Sequence, residues 1–170
     1  MEAVEKIEHK GKQIEIHYDQ DAQSPRECDN LGTILYTSTR YNLGDKQVSR
    51  EEIKEIENSK GVIAIPVYAY IHSGIALNTT GFSCPWDSGQ CGIIYAEKSK
   101  ILKEYGVKRL TPAVRAKVEK LFRSEIEEFG KYLAGEVYGY QIKDSTGEEV
   151  SACWGYIGLE YAIQAAKEAC

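Results

Sequence analysis

The chemistry-bearing residues of this chain are concentrated in one string, Gly81-Phe82-Ser83-Cys84-Pro85-Trp86-Asp87-Ser88-Gly89-Gln90-Cys91-Gly92. It gathers thiol, indole, carboxylate, hydroxyl and carboxamide groups between glycines, a mixture that regular secondary structure does not require and that loops mount for function. Were the protein an enzyme, Cys84 would be the nucleophile, His72 the base nearest to it in sequence, and Asp87 or Asp45 the carboxylate that orients the imidazole. Cys91 is the alternative thiol. Neither cysteine is flanked by papain-like or caspase-like strings. A purely structural use competes, with Trp86 filling the core and Asp87, Ser88 and Gln90 satisfying turn backbone.

Binding is the leading chemistry. Arg26 and Arg40 can fork onto phosphate oxygens, Tyr41 and Trp86 offer faces for base stacking, and Asn30, Asn42 and Gln90 can read base edges. Asp29, Asp45, Ser83 and Ser88 complete the expected ligand-binding set. Residues 26–30, 40–45, 72 and 84–90 are expected to converge on one site, since four unusual loops are explained more simply by one ligand than by four turns. No phosphate loop and no G-x-G-x-x-G string occurs, so a mononucleotide fold of the common kinds is not indicated. No cofactor is predicted and no metal ligands are assigned. A divalent metal on Asp19, Asp21, Asp29 and Asp45 is the lesser alternative, and their spacing matches no EF-hand loop.

The chain has 170 residues with 21 Lys and Arg against 26 Asp and Glu, a net charge of −5. That balance argues against duplex nucleic acid as a partner, because duplex binding depends on cations that displace counterions. Five cysteines, an odd number without a C-x-x-C pair, argue against a disulfide framework, and His9, His17 and His72 show no zinc-ligand spacing to them. The longest apolar run, Val62–Ile71, contains Pro66 and is too short to span a bilayer, so no membrane association is expected. The first residues lack the pattern of a secretion signal, which places the expected location in the cytoplasm.

The elements that must position these loops follow from periodicity. Ile14, Ile16 and Tyr18 alternate with polar residues, predicting a strand over 13–18 with His17 facing solvent; residues 1–12 read as a loosely held leader. A second strand is predicted over 33–37. Ser49-Arg50-Glu51-Glu52 forms a capping box that opens a short helix. Residues 62–71 and 75–80 read as a hairpin with His72 at its tip, followed by a loop over 81–90 and a strand over 91–95. A short helix over 99–105 comes next. Thr111 as cap and Pro112 at the first helical position open the longest helix, with Val114, Val118, Leu121, Phe122, Ile126, Phe129 and Leu133 on one stripe. A hairpin over 136–154 and a helix over 159–169 close the chain. The order predicts one domain over residues 1–170, α+β, with an antiparallel or mixed sheet and helices mainly on one face.

Several strings carry a resemblance. Pro25-Arg26-Glu27, Asp29-Asn30-Leu31-Gly32-Thr33, Arg40-Tyr41-Asn42-Leu43-Gly44-Asp45, His72-Ser73-Gly74, Phe82-Ser83-Cys84-Pro85-Trp86-Asp87-Ser88-Gly89-Gln90 and Cys153-Trp154-Gly155 resemble those of an uncharacterised family of small proteins from tailed bacteriophages and prophages. The likeness covers roughly residues 14–165. Cys28 departs from it, standing where the family pattern carries Trp. The resemblance implies a phage accessory protein, in a setting of counter-defence, in the cytoplasm of an infected or lysogenic bacterium. The expected partner is a nucleotide-like small molecule or a host defence protein. A hydrolase using Cys84 and His72, or a carboxylate-bound metal, is the rival class; a protein-interaction inhibitor of a host defence enzyme is the third.

Overall fold

The computed structural model describes residues 2–170. Strands β1 (Glu5–His9), β2 (Lys12–Tyr18), β3 (Thr33–Tyr36) and β4 (Lys46–Gln47) precede helix α1 (Arg50–Glu57). β5 (Val62–Ile71), β6 (Ile75–Asn78) and β7 (Ser88–Glu97) then lead into α2 (Lys98–Glu104) and α3 (Pro112–Leu133). β8 (Val137–Lys143), β9 (Glu149–Ile157) and α4 (Leu159–Glu168) close the chain. The fold is α+β. Its strands divide between a four-stranded antiparallel sheet, ordered β1-β2-β8-β9, and a five-stranded sheet, ordered β4-β3-β7-β5-β6, in which β3 and β4 run parallel. No helix among the described residues is long and apolar enough to cross a membrane.

The backbone clusters into two compact units, one formed by the residues up to Pro25 together with Lys131–Cys170, the other by Arg26–Gly130. In the first, Ile14 and Ile16 of β2 pack with Tyr138, Tyr140 and Ile142 of β8 against Ala162 and Ala166 of α4. Each fully buried isoleucine there contributes about 1.5 to 3 kcal/mol relative to exposure. Residues 5–9, which lie within the stretch read as a loose leader, pair along β2 from Glu5↔Ile16 to His9↔Lys12.

The other face of β2 differs from its expected state. His17 does lie on the side opposite Ile14 and Ile16, yet it is only 5% exposed instead of facing solvent. The cause is a long-range contact: the indole of Trp154 lies over Gly139, the residue paired with His17 across β8. A Cβ on Gly139 would stand 2.1 Å from Trp154 Cε3, so only glycine admits the ring. The strand β9 carries a bulge at this point, where pairing steps from Tyr138↔Tyr156 to Tyr140↔Cys153. Such irregularities re-aim side chains. Beside His17, Glu15 accepts from Lys143 Nζ at 2.6 Å and pairs with Lys6 Nζ at 2.8 Å. The hydrogen bonds from Lys143 and Lys6 hold its carboxyl at a pKa of about 2, against the opposing effect of burial.

In the second unit, α1 covers one face of the five-stranded sheet through Ile53, packed with Leu35 and Ile93. Its capping box is formed as read: Ser49 Oγ accepts from the Glu52 N–H at 3.2 Å, and Glu52 Oε2 accepts from the Ser49 N–H at 3.0 Å. α3 begins at Pro112, and Thr111 Oγ1 accepts from the Val114 N–H at 3.3 Å. Its buried stripe is Val118, Phe122, Ile126 and Phe129, whereas Leu121 lies at the rim, 37% exposed. β7 begins at Ser88, earlier than residue 91 where the sequence places it, because β5 supplies partners: Tyr70↔Ser88, Ala69↔Gly89 and Tyr68↔Gln90. Backbone pairing here overrides the weak strand preference of Ser, Gly and Gln.

Candidate functional site

The loop carrying Arg40 is shaped by its own short polar side chains. Ser38 Oγ accepts from the N–H groups of Arg40 at 3.3 Å and Tyr41 at 3.1 Å, and Asn42 Oδ1 accepts from the Gly44 N–H at 3.4 Å. Leu43, 1% exposed, nails the loop to the core. Gly44 then passes so close to β3 that a Cβ would lie 2.4 Å from Ile34 Cγ2 and 2.9 Å from the Ile34 carbonyl oxygen. This anchoring leaves Arg40 free to lie over the Tyr41 ring, its Cζ 5.1 Å from the centroid, a cation–π contact.

The loop carrying Trp86 is held at both ends. At its start Asn78 Oδ1 accepts from the Gly81 N–H at 2.7 Å while Asn78 Nδ2 donates to the Gly81 carbonyl at 2.9 Å. At its end the Ile71 N–H donates to the Asp87 carbonyl at 3.0 Å, and Ser88 Oγ donates to the Cys84 carbonyl. Phe82 packs on Tyr70 with centroids 5.7 Å apart. Trp86 is left 92% exposed, which removes the reading of its indole as a core plug. His72 Nδ1 stands 3.7 Å from Asp87 Oδ2, a distance that orients the two groups without a hydrogen bond.

These two loops meet at an open groove of about 540 Å³. Arg40, Tyr41, His72, Trp86, Asp87, Ser88 and Gln90 line it, over a floor that includes Leu43, Ala69, Ile71 and Cys91. A neighbouring cavity of about 340 Å³ shares Thr37, Gly89, Gln90 and Cys91 with it and adds Arg50, Lys54 and Glu57 from α1. Thr37, Ser38, Arg50, Lys54 and Glu57 are not among the site residues expected from the sequence. The only signal for the α1 residues is a basic pair four apart on a helix, the ordinary pattern of a solvated face.

The remaining expected site residues lie elsewhere. Arg26 does not line the groove: its guanidinium binds Asp45, Glu125 and the Gly32 carbonyl. Burial pulls the Arg26 pKa down, and the hydrogen bonds and charges of Asp45 and Glu125 more than reverse that, leaving it raised. Asp45 is spent on the same cluster and on the Ile34 N–H at 2.7 Å. Asn30 Nδ2 donates to the Cys28 carbonyl at 2.9 Å, shaping its own turn beside exposed Asp29. Asn42 serves the loop's backbone, and Ser83 and Cys84 are absent from the lining of the groove.

For thiol chemistry the arrangement is poor. No hydrogen bond joins Cys84 to His72 among the described residues, and burial pushes the Cys91 thiol up to about 11, the direction opposite to an activated nucleophile. Among the described residues no group of three His, Cys, Asp or Glu side chains could hold a metal ion. The groove presents a cation over a phenol, an exposed indole, and a row of short polar side chains. Comparison with protein-family models, with curated proteins and with solved structures finds no match.

Proposed function

We propose that the chain binds a nucleotide-like ligand in this groove, as a phage accessory protein acting in counter-defence. The observation that carries the reading is that Arg40 and Trp86, from separate loops, line one open groove together with Tyr41, Ser88 and Gln90. An indole with nearly all of its surface in water costs free energy unless something covers it, and a base is a flat partner of matching size. The Arg40 guanidinium supplies a fork for a phosphate. The volume suits a mononucleotide-sized ligand, within the usual range of small-molecule sites. The resemblance to small phage proteins supplies the biological setting.

Calorimetric titration of a panel of linear and cyclic nucleotides tests this. Arg40→Ala should weaken binding and flatten its salt dependence, since the charge contact is screened by salt. Trp86→Ala should weaken binding at every salt concentration, by about 1 to 3 kcal/mol. Absence of binding by the whole panel at millimolar concentration rejects the reading. The exposure of Trp86 then favours the second one, in which the indole anchors a protein partner such as a host defence enzyme.

A further inference from the structure

Gln90 lines both cavities. Its Nε2 stands 3.2 Å from Glu57 Oε1 and 3.3 Å from the Gly92 carbonyl oxygen. A carboxamide nitrogen carries two hydrogens, and each has an acceptor here. Turning the amide over would bring Oε1 against a carboxylate and a carbonyl, three acceptors with no proton between them. The surroundings therefore fix which way the amide faces, as hydrogen-bond networks generally do for Asn and Gln. The group left for a ligand is Oε1, which accepts and cannot donate.

Resting on the nucleotide-binding reading, we infer that Gln90 Oε1 is the base-reading acceptor of the groove and that Glu57 is its positioning residue. The ligand class selected is one whose base presents an exocyclic amino group, as adenine and cytosine do. Hypoxanthine and uracil present a carbonyl at the corresponding position. There the two oxygens would face each other with neither able to donate, and a site acceptor left without a donor is what gives hydrogen-bonding sites their discrimination. Arg40 and Trp86 contact features common to all four nucleotides, so they supply affinity without this selection.

The test is titration of AMP against IMP, and of CMP against UMP, into the wild type, Gln90→Leu and Glu57→Gln. In the wild type the amino member of at least one pair should bind roughly tenfold tighter or better. Gln90→Leu removes the acceptor, and Glu57→Gln installs a side chain that can itself donate, which lets Gln90 turn over; the preference should fall toward unity in both. Both positions are exposed, so neither substitution threatens the fold. Equal affinity within both pairs, tighter binding of the oxo member, or a preference unchanged in either variant overturns the assignment while leaving nucleotide binding intact. If none of the four nucleotides binds, the assignment fails, and the wider panel of linear and cyclic nucleotides decides whether the nucleotide reading falls with it.

Discussion

Arg26 grips Asp45 through two parallel hydrogen bonds, Nε to Oδ1 at 2.9 Å and Nη2 to Oδ2 at 2.7 Å. The same guanidinium reaches Glu125 Oε2 with Nη1 at 2.9 Å, and Glu125 Oε1 accepts from the Gly32 N–H at 3.2 Å. This cluster locks the end of the Arg40 loop to α3, and so positions the groove without touching a ligand. Removing the cation from a buried cluster leaves a carboxylate without its counter-charge, and the Glu125 side chain is only 7% exposed. Arg26→Ala should therefore cost about 3 kcal/mol in urea unfolding at neutral pH. Arg26→Lys should recover only part of it, because one ammonium cannot reproduce the fork. An Arg26→Ala variant as stable as the wild type would show that the cluster does not hold the loop.

Glu15 makes stability depend on acidity. Its folded pKa of about 2 lies below the ordinary 4.5, so the lysine contacts contribute stability that is fully present above pH 4.5 and is lost as pH falls through about 2. Between those values the wild type should lose more stability than Glu15→Gln, which cannot titrate. Chemical denaturation of both proteins at several pH values measures this. Curves that run parallel across that window contradict the pairing.

The cysteines should separate by reactivity. Cys28 and Cys153 are exposed, whereas the Cys91 thiol, raised to about 11 by burial, supplies almost no thiolate at pH 7.5. Peptide mapping after timed iodoacetamide treatment should find Cys28 and Cys153 modified well before Cys91. Labelling of Cys91 as fast as Cys28 would mean that its site is more open or more cationic than the structure has it.

What could be read from the sequence was local. The Ser49 and Glu52 capping box and the Thr111-Pro112 helix start are made by neighbours within a turn, and both form as read. The Ile14 and Ile16 alternation likewise identified the core face of β2. The failures are long-range. Nothing near His17 announces that Trp154 will cover Gly139 beside it, and nothing near Arg26 announces that Glu125 will consume its charge. Arginine and aspartate in a glycine-rich string look alike whether they bind a ligand or each other. Within the strings quoted above, Arg26, Leu31, Leu43, Gly44 and Asp45 are therefore explained by packing and ion pairing, whereas Arg40, Tyr41, Trp86 and Gln90 line the groove.

The central claim is that a base stacks on Trp86, and the chain holds a favourable reporter because it has only two tryptophans. Trp86 and Trp154 both emit, but only Trp86 lines the groove. Titrating AMP and, separately, CMP while following tryptophan emission in the wild type and in Trp86→Phe separates them directly. The account predicts a saturable quench in the wild type that is absent in Trp86→Phe, whose remaining indole lies over Gly139. An equal quench in both proteins, or none in the wild type up to millimolar concentrations of either nucleotide, would contradict it.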